Sequence, residues 1–196
     1  MSLSLKHILT AFVAIGVLSM IYVLGAAMLT PSSVDSSGFE TSGDMEKFVI
    51  VSERPDFSKA GFMNDTQQMV QIDDFRGRVV LVNLWATWCA PCLVEMPALD
   101  RLQETLGGDD FEVVAISLDK NADKAREWLK TNEIDNLAFY TDERLTLHAD
   151  FGAKGLPTSY LIDPKGRLIG YLEGDAAWDA ADAETLIEHF INKAKN

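Results

Sequence analysis

The chain has 196 residues, 47% hydrophobic and 24% charged, which suits one core of ordinary size plus extra segments. Seventeen Lys and Arg stand against thirty Asp and Glu, a formal net charge of −13. A body this acidic repels phosphate backbones, which argues against nucleic acid as a partner, and acidity alone names no substrate.

Residues 8–30 carry no charged side chain, and their polar groups are limited to the hydroxyls of Thr10, Ser19, Tyr22 and Thr30. About twenty such residues in a helix span a hydrocarbon core of roughly 30 Å. Lys6 and His7 precede the run and no basic residue follows it before Lys47. That asymmetry places residues 1–7 in the cytoplasm and everything after Thr30 outside it. The run is longer than the roughly 7–15 apolar residues of a cleaved signal, so it reads as an uncleaved signal anchor. Cleavage after Gly25-Ala26-Ala27 is the alternative, and it leaves the compartment unchanged. The Ser- and Gly-bearing residues 31–44 read as a flexible tether, and residues 45–196 as the globular domain.

Within that domain, residues 48–51 and 69–72 read as short strands. Residues 79–85 form a continuous apolar run of strand length, as in a strand buried on both faces. A helix is expected over 91–106, stopped by Gly107-Gly108. A second buried strand is expected at 111–118, an amphipathic helix at 121–131, a short strand at 137–140 and a short helix at 143–151. Residues 158–162 and 167–172 read as a hairpin across Asp163-Pro164-Lys165-Gly166, and residues 178–195 as the closing helix. The order β–α–β–α–β–α–β–β–α predicts an α/β fold with helices on both faces of a sheet.

The two cysteines, Cys89 and Cys92, follow the apolar run two residues apart. With no third thiol in the chain, any intrachain disulfide joins these two. So short a loop removes little entropy from the unfolded chain, so stapling is a poor reason for such a bridge and redox chemistry a better one. Cys89 lies where a buried strand gives way to a helix, where backbone N–H groups and the helix dipole favour thiolate over thiol. It is expected to titrate below the free value of about 8.5. Pro91 suits the first helical turn, which needs no backbone donor. Cys89 is therefore the nucleophile towards a partner disulfide, and Cys92, deeper by three residues, resolves the mixed disulfide. A structural zinc site needs four ligands, and only His7, His148 and His189 remain to supply the others. Haem attachment needs His after the second cysteine, where Leu93 stands.

The stretch Trp85-Ala86-Thr87-Trp88-Cys89-Ala90-Pro91-Cys92, with Gly155-Leu156-Pro157-Thr158 downstream, resembles the thioredoxin superfamily. Within it the similarity is to the membrane-anchored TlpA/ResA/CcmG group of extracytoplasmic thiol–disulfide oxidoreductases, nearest its TlpA branch, over residues 45–195. The resemblance implies a thioredoxin-like fold, a mixed sheet flanked by helices, with a helix–strand insert at residues 119–142. It makes Pro157 the cis-proline facing the disulfide, with Leu156 before it pairing with substrate backbone, although by itself Pro157 reads as an ordinary trans turn residue. Pro97 matches the proline inside the active-site helix. Asn83 stands where thioredoxin has a buried aspartate, and Glu95 matches a buried glutamate that assists deprotonation of Cys92. Without the resemblance Glu95 reads as a solvated helix residue. Trp85 and Trp88 are taken as packing and substrate-platform residues, His148 and His189 as surface residues, and Asp73-Asp74 as a solvated loop pair.

The same resemblance implies a reductase of client disulfides at the periplasmic face of the bacterial inner membrane, using no cofactor beyond its dithiol and no metal. Its clients would be apocytochromes c or copper-site proteins of respiratory oxidases, and a membrane carrier of the DsbD/CcdA kind would recharge it. Strong oxidants of this fold carry His where Pro91 stands. The rival is a copper-binding metallochaperone of the Sco type, which needs cysteines three residues apart and a late liganding His. A peroxiredoxin would carry Thr where Ala86 stands.

Overall fold

The computed structural model describes Thr41 and residues 43–195. Residues 1–7, the expected anchor at 8–30 and most of the tether lie outside the described residues. Among the described residues no helix is long and apolar enough to cross a membrane.

The strands are β1 (Val49–Ile50), β2 (Phe62–Asn64), β3 (Met69–Val70), β4 (Val79–Trp85), β5 (Phe111–Ser117), β6 (Tyr140–Thr141), β7 (Thr158–Ile162) and β8 (Leu168–Glu173). The helices are α1 (Ala90–Leu106), α2 (Ala122–Thr131), α3 (Thr146–Asp150) and α4 (Ala181–Lys195). Among the described residues the strands form one mixed sheet in the order β1-β8-β7-β4-β5-β6-β2-β3. β4 pairs parallel with β5 and antiparallel with β7, and β5 continues parallel to β6.

All seven residues of β4 are buried, as its mostly apolar run predicts, with Asn83 the one polar side chain among them. Alternate side chains enter different cores. Val79, Leu81 and Trp85 join Met96, Leu99 and Leu102 of α1, Ala125 and Leu129 of α2, and Leu186 and Phe190 of α4. Val80, Val82 and Leu84 join Phe62, Phe75, Leu147 and Tyr160 in the second cluster. The helices are thus divided unevenly. The three long ones share the first core, while the second holds the 3₁₀ turn Ile72–Phe75 and the short α3.

The helix–strand insert is present as α2 and β6, between β5 and β7. It is pinned to α1 by Asp100, whose carboxylate accepts from Asn136 N at 2.8 Å and Asn136 Nδ2 at 2.9 Å. Several expectations shift, and one strand was not expected. The strand expected at 137–140 occurs at Tyr140–Thr141, because Leu137 turns into the first core. The helix expected at 143–151 is only Thr146–Asp150: Leu145 adopts φ 58°, and the Asp142 carboxylate caps the start by accepting from Leu147 N at 2.7 Å. The last helix begins at Ala181, because Trp178 is committed to the core before it. β2 has no sequence signature; it pairs with β6 and, across a turn where Asn64 Oδ1 accepts from Thr66 N and Gln68 N, with β3.

Candidate active site

β4 ends at Trp85, and the chain passes through Ala86-Thr87-Trp88 into α1, whose N-cap is Cys89. Cys89 and Cys92 are joined by a disulfide with an S–S distance of 2.00 Å. The Cys92 N–H donates to Cys89 Sγ at 3.3 Å, and Pro91 occupies the first turn, where its missing donor costs nothing. On reduction this donor and the helix dipole would face the Cys89 sulfur and favour its thiolate. Cys89 keeps 6% of its surface and Cys92 none, so one sulfur alone meets a partner.

The connecting loop is held by a residue that the sequence reading missed. The buried carboxylate of Asp119 accepts from Thr87 N at 2.9 Å, Thr87 Oγ1 at 2.7 Å and Ser117 Oγ at 2.9 Å. Its signal was its position, two residues past the carboxyl end of the neighbouring parallel strand, where α/β sheets build their sites.

The Leu156–Pro157 peptide bond is cis, as the resemblance implied. Leu84 pairs with Thr158, which brings the preceding Pro157 to the end of β4. Beside the disulfide lies an open cleft of about 530 Å³, whose walls include Trp88, Cys89, Pro91 and Leu156. Trp88 is 68% exposed, consistent with a platform. Leu145, in left-handed backbone, lines the cleft as well.

His148 was expected at the surface. It is half-buried and lines this cleft together with Gly155 and Leu156. His189 is likewise half-buried, its ring edge-on to Phe190 with centroids 4.9 Å apart. The Asp73-Asp74 pair is not free: Asp74 accepts from Gln71 N at 2.8 Å and Asp73 pairs with Arg76 at 2.9 Å.

Glu95 lies one helical turn beyond Cys92 and is 2% exposed, so the solvated alternative is set aside. Asn83 Nδ2 donates to its Oε1 at 2.7 Å, and the Ala176 N–H donates to its Oε2 at 3.2 Å. Asn83 Nδ2 also donates to Ser159 Oγ at 3.0 Å. Burial raises the Glu95 pKa from 4.5 to about 7, against the lowering effect of these donors. A carboxyl with such a pKa can take up or release a proton near neutral pH. Cys89, Cys92, Glu95, Pro157, Leu156, Trp88 and Pro91 therefore gather at one end of the sheet. Among the described residues no cluster of three or more His, Cys, Asp or Glu side chains has the arrangement of a metal site.

The AhpC/TSA family model matches residues 50–170. The chain belongs to the AhpC/TSA family. It is 33% identical over 117 residues to the thioredoxin-like protein YneN of Bacillus subtilis, a match covering 58% of this chain and 65% of YneN, just under two thirds. It is 29% identical over 131 residues to the thiol-disulfide oxidoreductase ResA of Bacillus thuringiensis, covering 66% of this chain and 73% of ResA. A crystal structure of a DsbF homologue from Corynebacterium diphtheriae superposes with a TM-score of 0.58 at 27% identity, covering 72% of this chain and 92% of that one. These likenesses agree with the TlpA/ResA/CcmG resemblance, and the AhpC/TSA protein described here is a thiol–disulfide oxidoreductase of thioredoxin-like fold. Ala86, fully buried three residues before Cys89, offers no hydroxyl of the peroxiredoxin kind.

Proposed function

We propose that the protein reduces disulfides of client proteins outside the cytoplasmic membrane, held there by residues 8–30. The reduced Cys89 thiolate attacks one sulfur of a client disulfide, forming a mixed disulfide and releasing the other client sulfur as thiolate. Cys92 passes its proton to Glu95 and attacks Cys89 Sγ. The client's second thiolate leaves, and the enzyme closes into the Cys89–Cys92 disulfide with two electrons transferred. The observation that carries this reading is the pairing of a capped, barely exposed Cys89 with a buried carboxyl one turn beyond Cys92.

Apocytochromes c awaiting haem, or copper-site proteins of respiratory oxidases, are the proposed clients. A membrane electron carrier of the DsbD/CcdA kind is the proposed donor, and the periplasmic face of the inner membrane the proposed location. Pro91, in place of the histidine of strong oxidants, supports the reducing direction. The copper-chaperone reading would need Cys89, Cys92 and His148 to converge, and no such group is formed among the described residues.

Cys89→Ser is expected to abolish client reduction, whereas Cys92→Ser accumulates a mixed disulfide visible on non-reducing gels. Equal activity in both variants would rule the mechanism out.

A further inference from the structure

Trp178 sits in the loop between β8 and α4, and its side chain is fully buried. Its indole Nε1–H meets the geometry of a hydrogen bond to no acceptor. An indole N–H is donor only, and a buried donor without a partner needs an explanation. The explanation lies beside it. Two residues earlier in the same loop the Ala176 N–H donates to Glu95 Oε2, which holds this loop against the carboxylate, and the Trp178 indole is among the groups that favour its ionised form.

We propose that Trp178 is a positioning residue: its indole N–H is the third donor of the Glu95 carboxylate, closing onto it when Glu95 ionises and turning away when Glu95 is protonated. The remaining groups around Glu95 are few. Asn83 on β4 donates to Oε1 and, through the same amide, to Ser159 on β7. Cys92 precedes Glu95 by one turn of α1. The exposed Asp175 is the charged neighbour, and its negative charge disfavours ionisation. Neither Asn83 nor Ala176 can add a further donor, since the second Asn83 amide hydrogen serves Ser159 and a backbone N–H has only one. Trp178 is then the group that adjusts as the proton moves between Cys92 and Glu95.

The role in turnover rests on the reductase reading, but the test does not, because it uses the full chain in its oxidised, unreacting state. In a pH titration followed by indole ¹⁵N–¹H NMR, the Trp178 Nε1–H resonance is expected to move with a midpoint near 7, that of Glu95. The same resonance should stay still in Glu95→Gln. In Trp178→Phe, which keeps an aromatic ring and loses the donor, the Glu95 carboxyl ¹³C titration should shift upward by about one pH unit, a roughly tenfold gain in proton affinity. An indole resonance that ignores the ionisation, or that moves equally in Glu95→Gln, overturns the proposal, as does an unmoved Glu95 midpoint in a folded Trp178→Phe. Should that variant fail to fold, the comparison of the unaltered protein with Glu95→Gln decides alone.

Discussion

Glu95 carries a penalty that its chemistry requires. Its pKa is raised from 4.5 to about 7, chiefly by burial, so the folded protein holds a proton that the unfolded chain releases between those values. Stability from this group is therefore fully present below about pH 4.5 and is lost as pH rises through 7, a swing on the order of 3 kcal/mol. Urea unfolding of the oxidised protein at several pH values should show Glu95→Gln gaining on the unaltered protein by that amount between pH 4.5 and 8. A difference that stays constant with pH would remove Glu95 as a neutral-range proton acceptor. The same substitution is expected to slow the Cys92 resolution step while leaving Cys89 alkylation intact. Little of this was legible from residue type. Glu95 was found through resemblance, while Trp178 and Ser159 had no signal at all, because what matters is a meeting of β4, β7, α1 and a loop that no local pattern encodes.

At the level of elements, the site is a joint between the ends of β4 and β5 and the start of α1, and Asp119 is its fastening. Asp119→Ala would leave the half-buried Thr87 N–H and the buried Ser117 hydroxyl short of an acceptor, at a cost of about 2–4 kcal/mol. Chemical denaturation should find that loss together with slower Cys89 alkylation, since the loop that presents the helix N-terminus is then unheld. Loss of stability without a change in thiol reactivity would make Asp119 a fold residue only. The elements legible in advance were those whose pattern suffices to define them: the apolar runs of β4 and β5, α1 with its Gly107 stop, and the Asp163–Gly166 turn, where Gly166 N donates to Asp163 O at 2.9 Å. β2, β6 and α3 escaped or shifted because each is too short to be decided by its own residues. Neighbouring strands, the Asp142 cap and the left-handed Leu145 set them instead.

For the whole molecule the disulfide is a minor support. It spans a sequence separation of 3, so opening it frees little unfolded-state entropy, at most about 2 kcal/mol, while two apolar clusters hold the sheet on either side. The reduced chain is expected to stay folded, with its near-ultraviolet circular dichroism retained and its urea midpoint only slightly lowered. Collapse of the fold on reduction would recast the bridge as a staple. The complete burial of Cys92 beside a Cys89 that shows only an edge has one further consequence. Electrons stored in the dithiol have a single terminal, since Cys89 alone of the pair reaches the surface. Small oxidants drifting past would discharge it slowly, and current would flow only when another polypeptide presses a sulfur against that contact.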